Sequence, residues 1–263
     1  MSRFDERVAI VTGSSANPSI GRACARRLGL DGASVVINGR DAATLSSTRA
    51  ELAAEGIAVF AVEGSMEDEE TSARLAQAAI AQFGRLDLLV NTIGGTRFHG
   101  SFETMAKADL MGTVALNTWP TLSLVQEALK VGLADDGGAV VNISSGSPKK
   151  TTPTMIAYAA AKAALNALTR TMAADLGPRG VRVNAVSPGL TKTTTTKAMW
   201  EHDGGTAAGT NILLGRLTEA DDIAAAAAFL LSDDARQITG VMLDVDGGNH
   251  LGGGGWTPIS SSP

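Results

Sequence analysis

Short apolar runs alternate with helix-length stretches from Val8 to Val245, and that alternation leaves few folds open. The runs are Val8–Val11, Ser34–Asn38, Ile57–Val62, Leu86–Val90, Ala139–Ile143, Val181–Val186 and Val241–Val245. Between them, the turn after Gly21 leads into a helix to about Leu30. Ala42–Glu55, Glu67–Phe83, Phe102–Leu133, Ile156–Leu176 and Glu219–Leu231 are rich in helix formers, and residues 187–215 are irregular. Apolar runs of strand length read as strands buried on both faces. Strands separated by helices predict an α/β fold: a doubly wound parallel sheet of about seven strands, helices on both faces, with right-handed crossovers. No linker or shift of composition interrupts the pattern, so residues 1–250 are expected to form one domain. The Gly/Ser-rich tail, 251–263, lacks periodicity and is expected to be flexible or draped over a neighbour.

Bulk properties remove whole classes of function. Aromatic residues make up 4% against 44% hydrophobic, so the core must be aliphatic and alanine-rich. A net charge of −5 gives no basic footprint for nucleic acid. Cys24 is the single cysteine, which rules out an internal disulfide and a cysteine-rich metal site, and no metal is expected. No apolar run approaches the roughly 20 residues of a membrane span. The first seven residues are too charged for a signal peptide, so a cytoplasmic protein is expected.

Three stretches carry chemistry. The first strand runs into Thr12-Gly13 and, seven residues later, Ile20-Gly21. A strand, a glycine turn and a helix N-terminus together let backbone amides approach a phosphate. No glycine lies between Gly13 and Gly21, and a plain strand-to-helix loop is the alternative. The second strand ends in Gly39-Arg40-Asp41. In a dinucleotide site an arginine there suits a 2′-phosphate, while Asp41 suits the N-cap of the next helix; Arg40 is otherwise a solvated charge. Tyr158, the only tyrosine, stands four residues before Lys162 in an alanine-rich helix, so the two side chains share a face. A nearby ammonium favours the phenolate and brings a phenol of pKa about 10 toward acid/base work. The bland alternative is a half-buried tyrosine beside a surface lysine. Asn117 is a poor residue for a helix interior, and Pro120 offers no N–H to the Leu116 carbonyl. A kink there frees backbone groups to hold a water, or is merely structural. The histidines lie in loop or glycine-rich surroundings without a G-x-S-x-G elbow, which argues against a serine hydrolase.

Over Val8–Gly248 these motifs resemble the short-chain dehydrogenase/reductase family. Ser145 lies thirteen residues before Tyr158, the family's spacing. Asn117 in Val114-Ala-Leu-Asn117 matches the fourth catalytic position, Arg182–Gly189 the segment passing the nicotinamide, and Asp221–Ala224 and Val245–Gly248 the C-terminal signatures. Ketoreductases of the 3-oxoacyl-(acyl-carrier-protein) reductase kind are nearest. The glycine turn is two residues longer than usual, with Ser19 where the middle glycine falls, as in the related enoyl reductases. Those space tyrosine and lysine by six residues, against three here, which favours the ketoreductase pattern. The usual N-N-A-G is Asn91-Thr-Ile-Gly94, and the aspartate near the adenine is replaced by Ser65.

The resemblance implies a single-domain Rossmann fold that binds NADP(H) in preference to NAD(H). By it, Tyr158 exchanges a proton with the substrate oxygen, and Lys162 shifts the tyrosine's pKa and holds the nicotinamide ribose. Ser145 bonds the carbonyl oxygen, an effect worth about 3–4 kcal/mol in comparable oxyanion sites. Asn117 holds a water that relays protons to Lys162. Its cofactor set is Gly13, Ser15, Ser19, Ile20, Gly21, Arg40, Ser65, Met66, Asn91, Gly94, Tyr158, Lys162, Pro188, Gly189, Thr191 and Thr193. Thr191 replaces a commoner aliphatic residue, so only its backbone role carries over. Residues 190–214 are the expected substrate lid, with Met199 and Trp200 as apolar contacts, Gly204, Gly205 and Gly209 as points of mobility, and Met155 opposite. Lys149 and Lys150 read as solvated, with contact to an anionic substrate as the alternative. The implied partners are a small carbonyl or alcohol substrate and three further copies in a homotetramer. A non-catalytic NADP(H)-binding sensor is the alternative.

Overall fold

In the computed structural model, which describes residues 2–133, 135–150, 152–201 and 212–251, the apolar runs form one parallel sheet. Its strands are β1 (Val8–Val11), β2 (Ser34–Gly39), β3 (Val59–Glu63), β4 (Leu88–Asn91), β5 (Ala139–Ile143), β6 (Arg182–Pro188) and β9 (Met242–Val245). They lie in the order β3-β2-β1-β4-β5-β6-β9. Two-residue strands β7 (Thr191–Lys192) and β8 (Thr218–Glu219) pair with each other. The helices are α1 (Ile20–Leu30), α2 (Ala42–Ala54), α3 (Glu69–Phe83), α4 (Lys107–Lys130), α5 (Ile156–Leu176), α6 (Lys197–Glu201) and α7 (Ala220–Leu231).

Strand alternation builds two cores. Ala9 and Val11 face Cys24, Leu28, Ile223 and Leu230 of α1 and α7, whereas Val8 and Ile10 face Leu75, Leu124, Val125 and Met172 of α3, α4 and α5. Each large aliphatic side chain withdrawn in this way contributes about 1.5–3 kcal/mol of transfer free energy. Alanines at 224, 227 and 228 present α7 as a smooth face to α1, which offsets the shortage of aromatics. Strand order reverses between β1 and β4, and the crevice beyond their C-terminal ends is where such sheets bind ligands.

Several boundaries differ from the reading of the sequence, for local reasons. Ile57 is buried, but its N–H closes α2 on the Leu52 carbonyl, so β3 starts at Val59. The stretch from Phe102 is not one helix. A 3-10 turn at Phe102–Thr104 stops at the extended Met105, and α4 starts afresh where the Asp109 carboxylate accepts the Ala106 N–H. Pro120 lies inside α4 without ending it. The segment expected to be irregular after Ser187 holds the end of β6, β7 and α6. Lys149 and Lys150 are not simply solvated, since their ammonium groups donate to Asp244 and Asn249 at 2.5 and 2.7 Å and fasten their loop to the sheet edge. The tail beyond Leu251, and Gly204, Gly205 and Gly209 of the expected lid, lie outside the described residues.

Candidate active site

Each glycine of the first turn is demanded by its surroundings. Gly13 has φ +62°, a left-handed conformation, and a Cβ there meets Thr92 Oγ1 at 2.5 Å. Gly21, at the start of α1, lies so close to the turn that a Cβ meets the backbone carbonyls of Gly13 and Thr12 at 2.4 and 2.6 Å. Ser19 is the N-cap of α1, its hydroxyl accepting the Arg22 N–H, and Ile20 packs against the adjoining core. Ser15 touches Gly39, where a Cβ meets its Oγ at 2.6 Å. Arg40 follows, exposed at the tip of β2, with no side-chain partner among the described residues. Asp41 caps α2, accepting the Thr44 N–H at 2.8 Å.

The remaining expected contacts divide into those facing the crevice and those spent elsewhere. Ser65 lies half-buried in the loop after β3, its hydroxyl accepting the Glu67 N–H. Met66 is 4% exposed and its side chain belongs to the core, so only its backbone is left for a ligand. Asn91 likewise turns inward, its amide donating to Asn142 Oδ1 at 2.9 Å in a buried bond between β4 and β5. Gly189 abuts Asp246, with a would-be Cβ 2.8 Å from that residue's Cβ. The hydroxyls of Thr191 and Thr193 are bonded locally, to the Gly189 carbonyl and to Thr196. Trp200 is half-buried with its indole N–H on the Thr193 carbonyl, Met199 is exposed, and Met155 is half-buried.

The four expected catalytic residues come from three elements. Ser145 stands just past β5, Tyr158 and Lys162 on successive turns at the start of α5, and Asn117 in the middle of α4. Lys162 is 3% exposed, and its ammonium donates to the Ile143 carbonyl at 2.9 Å, next to the strand end that carries Ser145. Asn117, fully buried, donates to the carbonyls of Gly95 and Thr113, each at 2.7 Å, and accepts the Gly95 N–H at 3.2 Å. Gly94 lies against both. A Cβ on it meets Asn117 Oδ1 at 2.5 Å and Lys162 Nζ at 2.7 Å.

Electrostatically the pair departs from expectation. Burial pushes the Tyr158 phenol above its ordinary value, and only the Ser145 hydroxyl draws it partway back. Lys162 does not make it acidic here. Its Nζ lies 5.8 Å from the phenol ring centroid, and burial lowers its own pKa to about 8. Desolvation penalises the charged form of each group, so the site at neutral pH holds a protonated phenol beside a lysine that gives up its proton readily.

Sequence reading missed the scaffold behind these groups. Asn142 donates to Thr169 at 2.9 Å and Ser144 to Asn166 at 2.5 Å, both buried, so β5 and the residue just past it grip α5. Ser147 was not singled out either, yet the Ser145 hydroxyl donates to it at 3.0 Å. The Thr194 N–H and hydroxyl both donate to the Pro18 carbonyl, at 2.9 and 3.1 Å, joining the long glycine turn to the segment after β6. A cavity of about 390 Å³ opens at the opposite edge of the sheet, by the first residues of β4, β5 and β6. Of the four arginines that line it, 3, 7 and 182 are occupied by Asp234, Asp87 and backbone carbonyls and Arg236 is the fourth, and the cavity is remote from the groups above.

Residues 13–250 match the family model described as enoyl-(acyl carrier protein) reductase. An uncharacterised oxidoreductase of Methylorubrum extorquens is 38% identical over 258 residues, covering 94% of this chain and 99% of its own. D-threitol dehydrogenase of Mycolicibacterium smegmatis is 34% identical, covering 94% of each. Among solved structures, a 7α-hydroxysteroid dehydrogenase complexed with NADH and 7-oxo glycochenodeoxycholic acid is 32% identical, with a TM-score of 0.88 over 94% of this chain and 95% of that one.

Proposed function

Since this chain belongs to the short-chain dehydrogenase/reductase family of oxidoreductases, we propose that it uses NADP(H) to interconvert a carbonyl compound and its secondary alcohol, as a ketoreductase. The observation that carries this reading is the meeting of Ser145, Tyr158, Lys162 and Asn117 at the C-terminal edge of the sheet, beside the switch in strand order. The residues fit a dinucleotide. Gly13 and Gly21 let the turn close tightly against Thr92 and against the start of α1, where a side chain at either position would collide, so the turn lies directly at the N-terminus of that helix, the arrangement that suits a phosphate. Gly13, Ser15, Ser19, Ile20 and Gly21 would hold the pyrophosphate, Ser65 and Met66 the adenine side, and Gly94, Pro188, Gly189, Thr191 and Thr193 the nicotinamide side. When bound, the nicotinamide supplies or accepts the hydride.

The chain's own residues handle the proton and the oxygen. Ser145 donates a hydrogen bond to the substrate oxygen, where charge builds as the carbonyl is reduced. Tyr158, protonated at neutral pH, gives its proton to that oxygen. Lys162, poised near pH 8, restores the proton, and Asn117 with the Gly95 carbonyl fixes the far end of that route. The relatives' names span a sugar alcohol and a steroid, so the family alone does not choose the substrate. β-Ketoacyl thioesters, steroids, sugars and aryl ketones, tested for NADPH oxidation, form the deciding panel. NADPH binding without turnover on any of them would favour a sensor.

Arg40 supports the preference for NADP(H), being exposed at the end of β2 with no side-chain partner among the described residues. Arg40→Ala is expected to raise the dissociation constant of NADPH about tenfold or more and that of NADH less than twofold, read by fluorescence titration. Equal weakening of both refutes the 2′-phosphate role. Assembly is part of the same reading. Met111 and Trp119 on α4 and Ile156 on α5 are 56%, 46% and 45% exposed, an apolar surface that pairing of α4 and α5 between subunits would cover. Light scattering is expected to return four times the 26.8 kDa chain mass, and a monomer overturns the tetramer. Among the described residues no helix is long and apolar enough to cross a membrane, which supports a place in the cytoplasm.

A further inference from the structure

Ser147 holds a position in the site that the four motif residues leave unexplained. Its Oγ accepts the Ser145 hydroxyl at 3.0 Å, and its backbone N–H donates back to Ser145 Oγ at 3.1 Å. Both serines are half-buried, and the Ser145 hydroxyl bonds the phenol, so the Ser147 hydroxyl stands one hydrogen bond behind the group that touches Tyr158. We propose that Ser147 is a specificity-determining residue that binds a second oxygen, on the carbon next to the reacting one, and so selects α-hydroxy ketones and their vicinal diols. The inference rests on the oxidoreductase reading above and deepens it.

The geometry argues this in two steps. When a substrate oxygen takes its place at Ser145 and Tyr158, the Ser145 proton turns toward it and Ser147 Oγ loses its donor. A hydroxyl on the adjacent carbon, held gauche, lies about one hydrogen-bond length from the carbonyl oxygen, which matches the 3.0 Å between the two Oγ atoms. Such a hydroxyl donates to Ser147 what Ser145 has withdrawn, whereas a simple ketone leaves that acceptor empty. Among the described residues the same loop offers no free cation for a carboxylate at this point, because Lys149 and Lys150 are committed to Asp244 and Asn249. A neutral hydroxyl is therefore the second group the site suits.

Acetoin and 2-butanone share a carbon skeleton and differ by this one hydroxyl. Reduction of both by NADPH, by the unaltered protein, Ser147→Ala and Ser147→Thr, tests the proposal. Acetoin is intrinsically the more reactive ketone, so the ratio of kcat/KM values is compared between proteins. Ser147→Ala is expected to lower the acetoin preference about tenfold, mainly through KM, the worth of one hydrogen bond, and Ser147→Thr to retain it. In a Tyr158→Phe background, where turnover is expected to be about a thousandfold slower, saturation-transfer NMR is expected to show weaker acetoin binding when Ser147 is also Ala. An equal loss on both ketones means that Ser147 only orients Ser145, and an unchanged ratio means that it touches neither. Either result overturns the proposal and leaves the oxidoreductase reading standing. Absence of turnover with every carbonyl compound overturns both.

Discussion

Tyr158→Phe is expected to lower ketone reduction about a thousandfold, within the range for removal of a general acid, while NADPH affinity changes by less than about twofold. Only the hydroxyl is lost, and the ring keeps its place on α5. The phenol's raised pKa strengthens the case that this hydroxyl is the acid, because the proton stays on it at neutral pH. The pH dependence follows with its sign. On the proposed mechanism reduction draws on protonated Tyr158 and on a Lys162 that can resupply it, so its kcat is expected to fall as pH rises through about 8, where Lys162 loses its proton. Alcohol oxidation needs the phenolate and is expected to rise over the same interval. Steady-state rates in both directions from pH 6 to 10, with NADPH binding measured alongside, check all three statements. Residual reduction near that of the unaltered protein removes Tyr158 from the chemistry.

Gly94→Ala is expected to cost about a hundredfold in kcat/KM, from a single methyl group. That carbon has nowhere to go. It arrives 2.5 Å from Asn117 Oδ1 and 2.7 Å from Lys162 Nζ, and both are held from behind, the one by the Gly95 N–H and the other by the Ile143 carbonyl. Either the lysine leaves its strand or the 94–95 loop lifts away from α4, and a displacement near 1 Å in such a site costs about that much. A buried lysine that loses its acceptor also destabilises the fold by about 1–3 kcal/mol. Calorimetry separates the two effects, since a small fall in melting temperature with a large kinetic loss identifies misplacement rather than unfolding. Kinetics like those of the unaltered protein show that the loop yields and that Lys162 does not need its position.

Much of the architecture was legible in the chain. A short apolar run is a buried strand in almost any context, and its alternation with helix formers admits few topologies, so the parallel sheet followed from residues near in sequence. So did Asp41 as a cap and the shared helix face of Tyr158 and Lys162, whereas the place of Ser145 beside them came from the resemblance to the family. Legibility failed where the partner is distant in the chain. Lys149 and Lys150 look solvated until Asp244 and Asn249 arrive about a hundred residues later, and Met66 and Asn91 look available until the core and Asn142 claim them.

The charge state of the site shows the same division. That Tyr158 and Lys162 share a helix face was settled by their spacing of four, because helix geometry is local. Whether the lysine acidifies the phenol depends on how much water reaches each and on what else the ammonium touches, and those depend on β5, α4 and the loop at Gly94 closing around them. Sequence determined which groups meet, since strand and helix periods are properties of the backbone. Only the tertiary structure decided their protonation, because desolvation is set by every segment that folds over them at once.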